Sequence, residues 1–179
     1  MTPFQSQVVY GLLIVITGAI IAFLSYDPSR TIQYVVAAGM FLSAVFAFIT
    51  AAKNKSREIR FIYHGLQGVG MLVYALAILI SATTFEKFIT ITMVFLLYFG
   101  ITEIIFGFQL MDHKRKIGMP LIVLRMFTGL LMAVGAVVIL AIAILDKNMS
   151  LLVAGILIAL SGLNFILFAN TTRKLAIPG

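Results

Sequence analysis

The sequence predicts an all-α membrane protein of six transmembrane helices, laid out as three consecutive helical hairpins with both termini in the cytoplasm. Three observations carry that prediction. Apolar residues make up 62% of the chain and charged residues only 11%, where soluble domains use about 45–50% apolar residues. The apolar residues fall in six unbroken runs, while Lys and Arg collect in alternate connections.

The runs are Val8–Ser25, Thr31–Ala52, Phe61–Ala82, Phe88–Met111, Met119–Leu145 and Met149–Asn170. Each is near or above the ~20 residues a helix needs to cross ~30 Å of hydrocarbon. A membrane barrel would instead show ~10-residue segments of alternating polarity. A mean hydropathy of +1.14 leaves too few polar residues to cover a soluble domain as well, so residues 1–179 are expected to form a single transmembrane domain. The residues before Val8 include no Lys or Arg and no small-x-small site follows the first run, so a removable signal peptide is not expected.

Orientation follows from the basic residues. Lys53, Lys55, Arg57 and Arg60 flank the connection after helix 2, Lys114, Arg115 and Lys116 the one after helix 4, and Arg173 and Lys174 the tail; with Arg125 these make ten on one side. The other side has Arg30, Lys87 and Lys147, each with an acidic neighbour in Asp27, Glu86 or Asp146. The positive-inside rule then puts the termini in the cytoplasm of a multi-pass inner-membrane protein. Segregation of the net charge of +7 by loop points to topology and not to a nucleic-acid partner. Tyr10 and Tyr63 near the inner ends, with Tyr26 and Tyr34 near the outer ones, read as interfacial belts.

Short, nearly charge-balanced turns close helices 1–2, 3–4 and 5–6, so the hairpins suggest internal repeats over 8–52, 61–111 and 119–170. Gly11-Leu12-Leu13 recurs as Gly129-Leu130-Leu131, with His64-Gly65-Leu66 in a similar place; Ser43-Ala44, Phe99-Gly100 and Ser161-Gly162 recur late in the even helices. With six helices as repeated hairpins, Gly11 and Gly18 in the first, an Asp27-Pro28 turn and Gly39 in the second, the chain resembles the short-repeat bacterial membrane proteins that include the HdeD acid-resistance protein. Thr83-Thr84-Phe85 and Asp146-Lys147-Asn148 replace the turn proline in the later hairpins. The resemblance implies the repeated-hairpin fold and a link to envelope or acid stress, and brings no catalytic residues.

Small residues at helical spacing mark buried seams in membranes. Gly11, Val15, Gly18 and Ala22 form one such face, and Gly100, Glu103 and Gly107 another. Glu103 stands eight residues before Met111 and Arg125 six after Met119, which at ~1.5 Å per residue places both about 9–12 Å from the same membrane face. A charge at the bilayer centre costs ~2.5–3.5 kcal/mol on insertion scales, so two at one depth are expected to pair. The alternative leaves Arg125 snorkelling to headgroups and Glu103 uncharged. With His64, Gln67 and Asn164 in the same half, Glu103 and Arg125 would form an intramembrane polar cluster, read either as a pocket or as interhelical hydrogen bonds.

Enzyme signatures are missing: there is no H-E-x-x-H, no G-x-S-x-G and no phosphate-binding glycine loop. Without cysteine there is no thiol chemistry and no cysteine-held metal. No catalytic, cofactor-binding or metal residues are expected. The sequence is therefore read as a non-enzymatic HdeD-like inner-membrane protein with a role in envelope or acid stress, or as an accessory subunit. Its expected partners are membrane lipids and a membrane protein or a second copy. The alternative is a small transporter or channel with a polar pocket in its cytoplasmic half.

Overall fold

Hydrocarbon offers no hydrogen bonds, so each apolar run must satisfy its own backbone, and a helix does so within one segment. The computed structural model describes residues 2–24, 29–54, 58–112, 118–142 and 146–174. These form α1 (Pro3–Leu24), α2 (Arg30–Lys53), α3 (Glu58–Ser81), α4 (Phe85–Met111), α5 (Met119–Ile142) and α6 (Lys147–Lys174), with no strand among the described residues. At 22 to 28 residues the helices are about 33–42 Å long, enough to cross the bilayer. Large apolar side chains such as Phe23, Val73, Phe108, Phe127 and Leu167 face outward. The chain is a multi-pass membrane protein.

Helix starts are set by local chemistry. Ser29 accepts from the Ile32 N–H at 3.4 Å, Thr84 from the Lys87 N–H at 3.3 Å, and Asp146 from the Asn148 and Met149 N–H groups at 2.9 and 3.0 Å. The second helix of each hairpin is thus capped by a side chain that takes up orphan backbone donors. Before α5 the chain turns at Gly118, whose φ of +89° favours a residue without Cβ. α1 begins at Pro3, ahead of the expected Val8, and α6 runs on past Asn170. The basic run 113–116 and the residues at 25–28, including Tyr26, Asp27 and Pro28, lie outside the described residues.

Each helix packs on its neighbour in chain order, and α6 returns onto α1 to close a ring. The broadest seams are α1 with α6, α4 with α5, and α2 with α3; the turn-linked pairs α1–α2, α3–α4 and α5–α6 are looser. The hairpins exist as connections, but the tight pairs join different hairpins, because the small residues sit there. A Cβ on Gly18 would lie 2.5 Å from the Ala159 N and 2.7 Å from the Gly155 O, and one on Gly100 2.6 Å from the Gly129 O. Backbones this close leave room for hydrogen only. Val15 and Ala22 complete the α1 face against Gly162 and Gly155.

Gly11, Gly68 and Gly129 press on Ile166, Phe48 and Ile104, each four residues beyond Gly162, Ala44 or Gly100. The sequence had suggested Gly65 for the middle of these three positions. Its Cβ position instead meets open space, since a shift of three residues turns it off the seam.

The turn end is laced by polar contacts different from those the sequence suggested. Lys147 pairs with Glu86 across α6 and α4, leaving Asp146 to cap. Arg30 Nη2 donates to the Thr83 carbonyl at 3.2 Å, and Lys87 Nζ to Thr83 Oγ1 at 3.1 Å.

Candidate functional site

At the other end of the bundle, where α1, α3 and α5 begin, a polar cluster is sealed inside the ring. Arg125 Nε donates to Glu103 Oε2 at 2.8 Å, with side-chain exposures of 0% and 1%. Their helices meet so closely that a Cβ on Gly129 would stand 2.9 Å from that of Glu103. This seam brings a six-residue inset on α5 level with an eight-residue inset on α4. Two charges far from water compensate each other only when the geometry is tight and the remaining lone pairs are met.

Those lone pairs are met largely from α3. Tyr63 donates its hydroxyl to Glu103 Oε1 and accepts from Arg125 Nη2, so one phenol bridges both charges. Gln67 Nε2 donates to Glu103 Oε1 and to Thr102 Oγ1, each at 3.0 Å. Arg125 Nη2 also reaches Glu103 Oε1, at 3.3 Å.

The guanidinium faces rings elsewhere. Its Cζ lies 4.3 Å from the centre of Phe168, 4.9 Å from Tyr63 and from Phe106, and 5.3 Å from Phe165. A desolvated cation over aromatic faces gains about 2 kcal/mol or more. This suits Nη1, which has no hydrogen-bond partner among the described residues. Tyr63 and Phe106 stack at 3.7 Å and close one wall of the cage.

A second buried pair adjoins the first. Tyr10 of α1 shares a hydrogen bond of 2.9 Å with His64 Nδ1, and the His64 ring lies edge-on to Tyr63 at 5.1 Å. Gln7 Nε2 donates to the Phe165 carbonyl at 3.4 Å, and the Ser6 and Thr50 hydroxyls meet at 2.8 Å. All six helices therefore contribute to this end of the core.

The structure brings Glu103, Arg125 and Gln67 together and sets His64 beside them through Tyr63. Asn164 takes no part in these bonds: it is buried on α6 and its Oδ1 has no hydrogen-bond partner among the described residues, as is also true of Gln67 Oε1 and Ser161 Oγ. Tyr10 and Tyr63 are corrected from interfacial belts to core residues, at 0% and 3% exposure. Position along a helix gives depth, but rotation about the axis decides whether a ring meets lipid or a neighbour. Tyr34 is half exposed on the outer face of α2.

Chemically, the site is an ion pair whose carboxylate is met by neighbouring donors and whose guanidinium is enclosed by rings. Among the described residues no group of three or more His, Cys, Asp or Glu side chains is placed to hold a metal. No protein-family model, curated protein or solved structure matches the chain.

Proposed function

We propose that this chain is a non-enzymatic protein of the bacterial inner membrane, HdeD-like in type, acting in envelope or acid stress or as an accessory membrane subunit, with its termini in the cytoplasm. The observation that carries the reading is the enclosure of the Glu103–Arg125 pair by protein groups. Tyr63 and Gln67 take up carboxylate lone pairs, and Tyr63, Phe106, Phe165 and Phe168 cover the guanidinium. A charge pair whose carboxylate is bonded by protein donors and whose guanidinium is enclosed by rings supports a role in fixing helices over one in receiving a solute. The stress role rests on the sequence resemblance alone, and the cytoplasmic termini on the distribution of basic residues. Copying of one hairpin three times is supported by the matching contacts of Gly11, Gly68 and Gly129.

The second reading, a small transporter or channel, is favoured by one observation, the unpaired Gln67 Oε1 and Asn164 Oδ1 in the same half of the bundle. Two assays separate them. Cells lacking the protein are challenged with acid and complemented by the wild type or by Glu103→Gln, and the purified protein is tested for ion and solute flux in liposomes. The stress reading expects impaired survival and no flux. Flux abolished by Glu103→Gln would establish the transporter.

A further inference from the structure

At one matching place the three hairpins carry different contacts, and a cleft lies beside the α3–α4 one. Six residues beyond Gly11, Gly68 and Gly129 stand Thr17, Tyr74 and Gly135; five before Ala44, Gly100 and Gly162 stand Gly39, Phe95 and Leu157. In α1–α2 the contact is Thr17 on Gly39, where a Cβ would lie 2.5 Å from the Thr17 hydroxyl, and in α5–α6 it is Leu157 on Gly135, at 2.6 Å. In α3–α4 two rings meet instead, Tyr74 stacked on Phe95 at 4.2 Å and 17°. Where the other hairpins place a glycine, this one places a pair of stacked aromatics.

Beside Tyr74 and Phe95 is a cleft of about 320 Å³ lined by Val69, Gly70, Val73, Ala77, Val94 and Tyr98 among others, running from mid-membrane toward the α3–α4 turn. Its hydroxyls are already engaged: Tyr74 with Thr92 at 2.9 Å, Tyr98 with the Leu66 carbonyl at 2.7 Å, and Thr90 with the Glu86 carbonyl at 3.0 Å. The exposed lining is almost wholly apolar, so a polar solute would find little to bond. Val69, Val73 and Val94 on its walls are exposed on the outer face of the bundle, so in a bilayer the apolar groups that meet the cleft are lipid acyl chains. At the turn end, Lys87 lies one helical turn before Thr90 on the same face, exposed, with its ammonium at Thr83. An ammonium has three donors, so others remain for a phosphate.

We propose that the α3–α4 cleft is a binding site for one anionic phospholipid, with an acyl chain lying between Val73 and Val94 and its phosphate at Lys87. The preference comes from packing, because a chain leaving bulk lipid gains no hydrophobic free energy on entering the cleft. The full chain is placed in nanodiscs containing phosphatidylglycerol with a photoactivatable diazirine on its acyl chain, and cross-linked peptides are mapped by mass spectrometry. Residues 69–77 and 90–98 should be labelled about tenfold more than the lipid-facing stretch 134–138, equivalent to about 1.4 kcal/mol at 1.4 kcal/mol per tenfold. Ala77→Phe, which fills the cleft, should bring labelling to background, and Lys87→Gln should lower it by up to about fivefold for phosphatidylglycerol but not for phosphatidylcholine. Val94→Phe at the mouth serves if Ala77→Phe does not fold. Even labelling of all helices, or labelling indifferent to both Phe variants, overturns the proposal. Cross-links between the α3–α4 faces of two copies, with the cleft unlabelled, overturn it in favour of a second chain.

Discussion

Tyr63 touches both members of the buried ion pair, accepting from Arg125 and donating to Glu103, and it does so from a third helix. The carboxylate on α4 and the guanidinium on α5 are thereby registered against α3. Removing the hydroxyl leaves Glu103 Oε1 with only Gln67 and the longer Arg125 contact. Tyr63→Phe should destabilise by about 1–3 kcal/mol, the cost of an unmet buried polar group, while Tyr34→Phe on the half-exposed face should change little. Unfolding in detergent, compared for the two variants, measures it; equal effects would mean that the phenol is not bonded inside the core.

The pair itself is tested by a double-mutant cycle. Glu103→Ala or Arg125→Ala strands a buried charge and should each cost about 3–5 kcal/mol. The double variant should cost less than the sum, because neither charge is then left alone. An interaction energy near zero would refute the pairing and restore the snorkelling alternative.

Glycine substitutions separate seams from open faces. Gly18→Ala drives a methyl against backbone at Ala159 and Gly155, which has no rotamer to yield, so α1 and α6 must part and stability should fall by about 1–3 kcal/mol. Gly65→Ala meets nothing within 4 Å and should be neutral or gain up to about 1 kcal/mol from helix propensity. Thermal unfolding of the two variants checks this contrast; a loss at Gly65→Ala equal to that at Gly18→Ala would remove the distinction.

Orientation is tested with single cysteines, convenient in a chain that has none. Thr84→Cys and Asn148→Cys sit on exposed positions at the turn end and should react with a membrane-impermeant thiol reagent added to spheroplasts. Labelling only after lysis would invert the topology.

Much of this was legible in the sequence. The six runs set the helices because length and hydropathy are local properties, and Glu103 and Arg125 were matched in depth by counting from the connection between them. The Gly11–Ala22 face was readable from its spacing. What it packs on was not, since nothing local states that the last helix returns to the first. Tyr10 and Tyr63 carried the same signal as belt tyrosines, an aromatic near a helix end, and only the direction of their faces distinguishes them. The choice of Gly68 over Gly65 also turned on rotation, about 300° for three residues of helix at ~3.6 per turn. The α3–α4 cleft was hidden because its walls come from two helices, and which residues face one another there depends on how each helix is rotated.

The closure of the ring by α6 on α1 sets an order of events during synthesis. The broadest seam joins the first helix to the last, so the Gly11–Ala22 face must wait in lipid while four intervening helices are inserted. Until α6 arrives, the bundle is an open arc with its aromatic cage incomplete, because Phe165 and Phe168 are supplied by α6. A ribosome that stalls before α6 leaves a chain with a bare glycine groove on α1 and a partly uncovered Arg125.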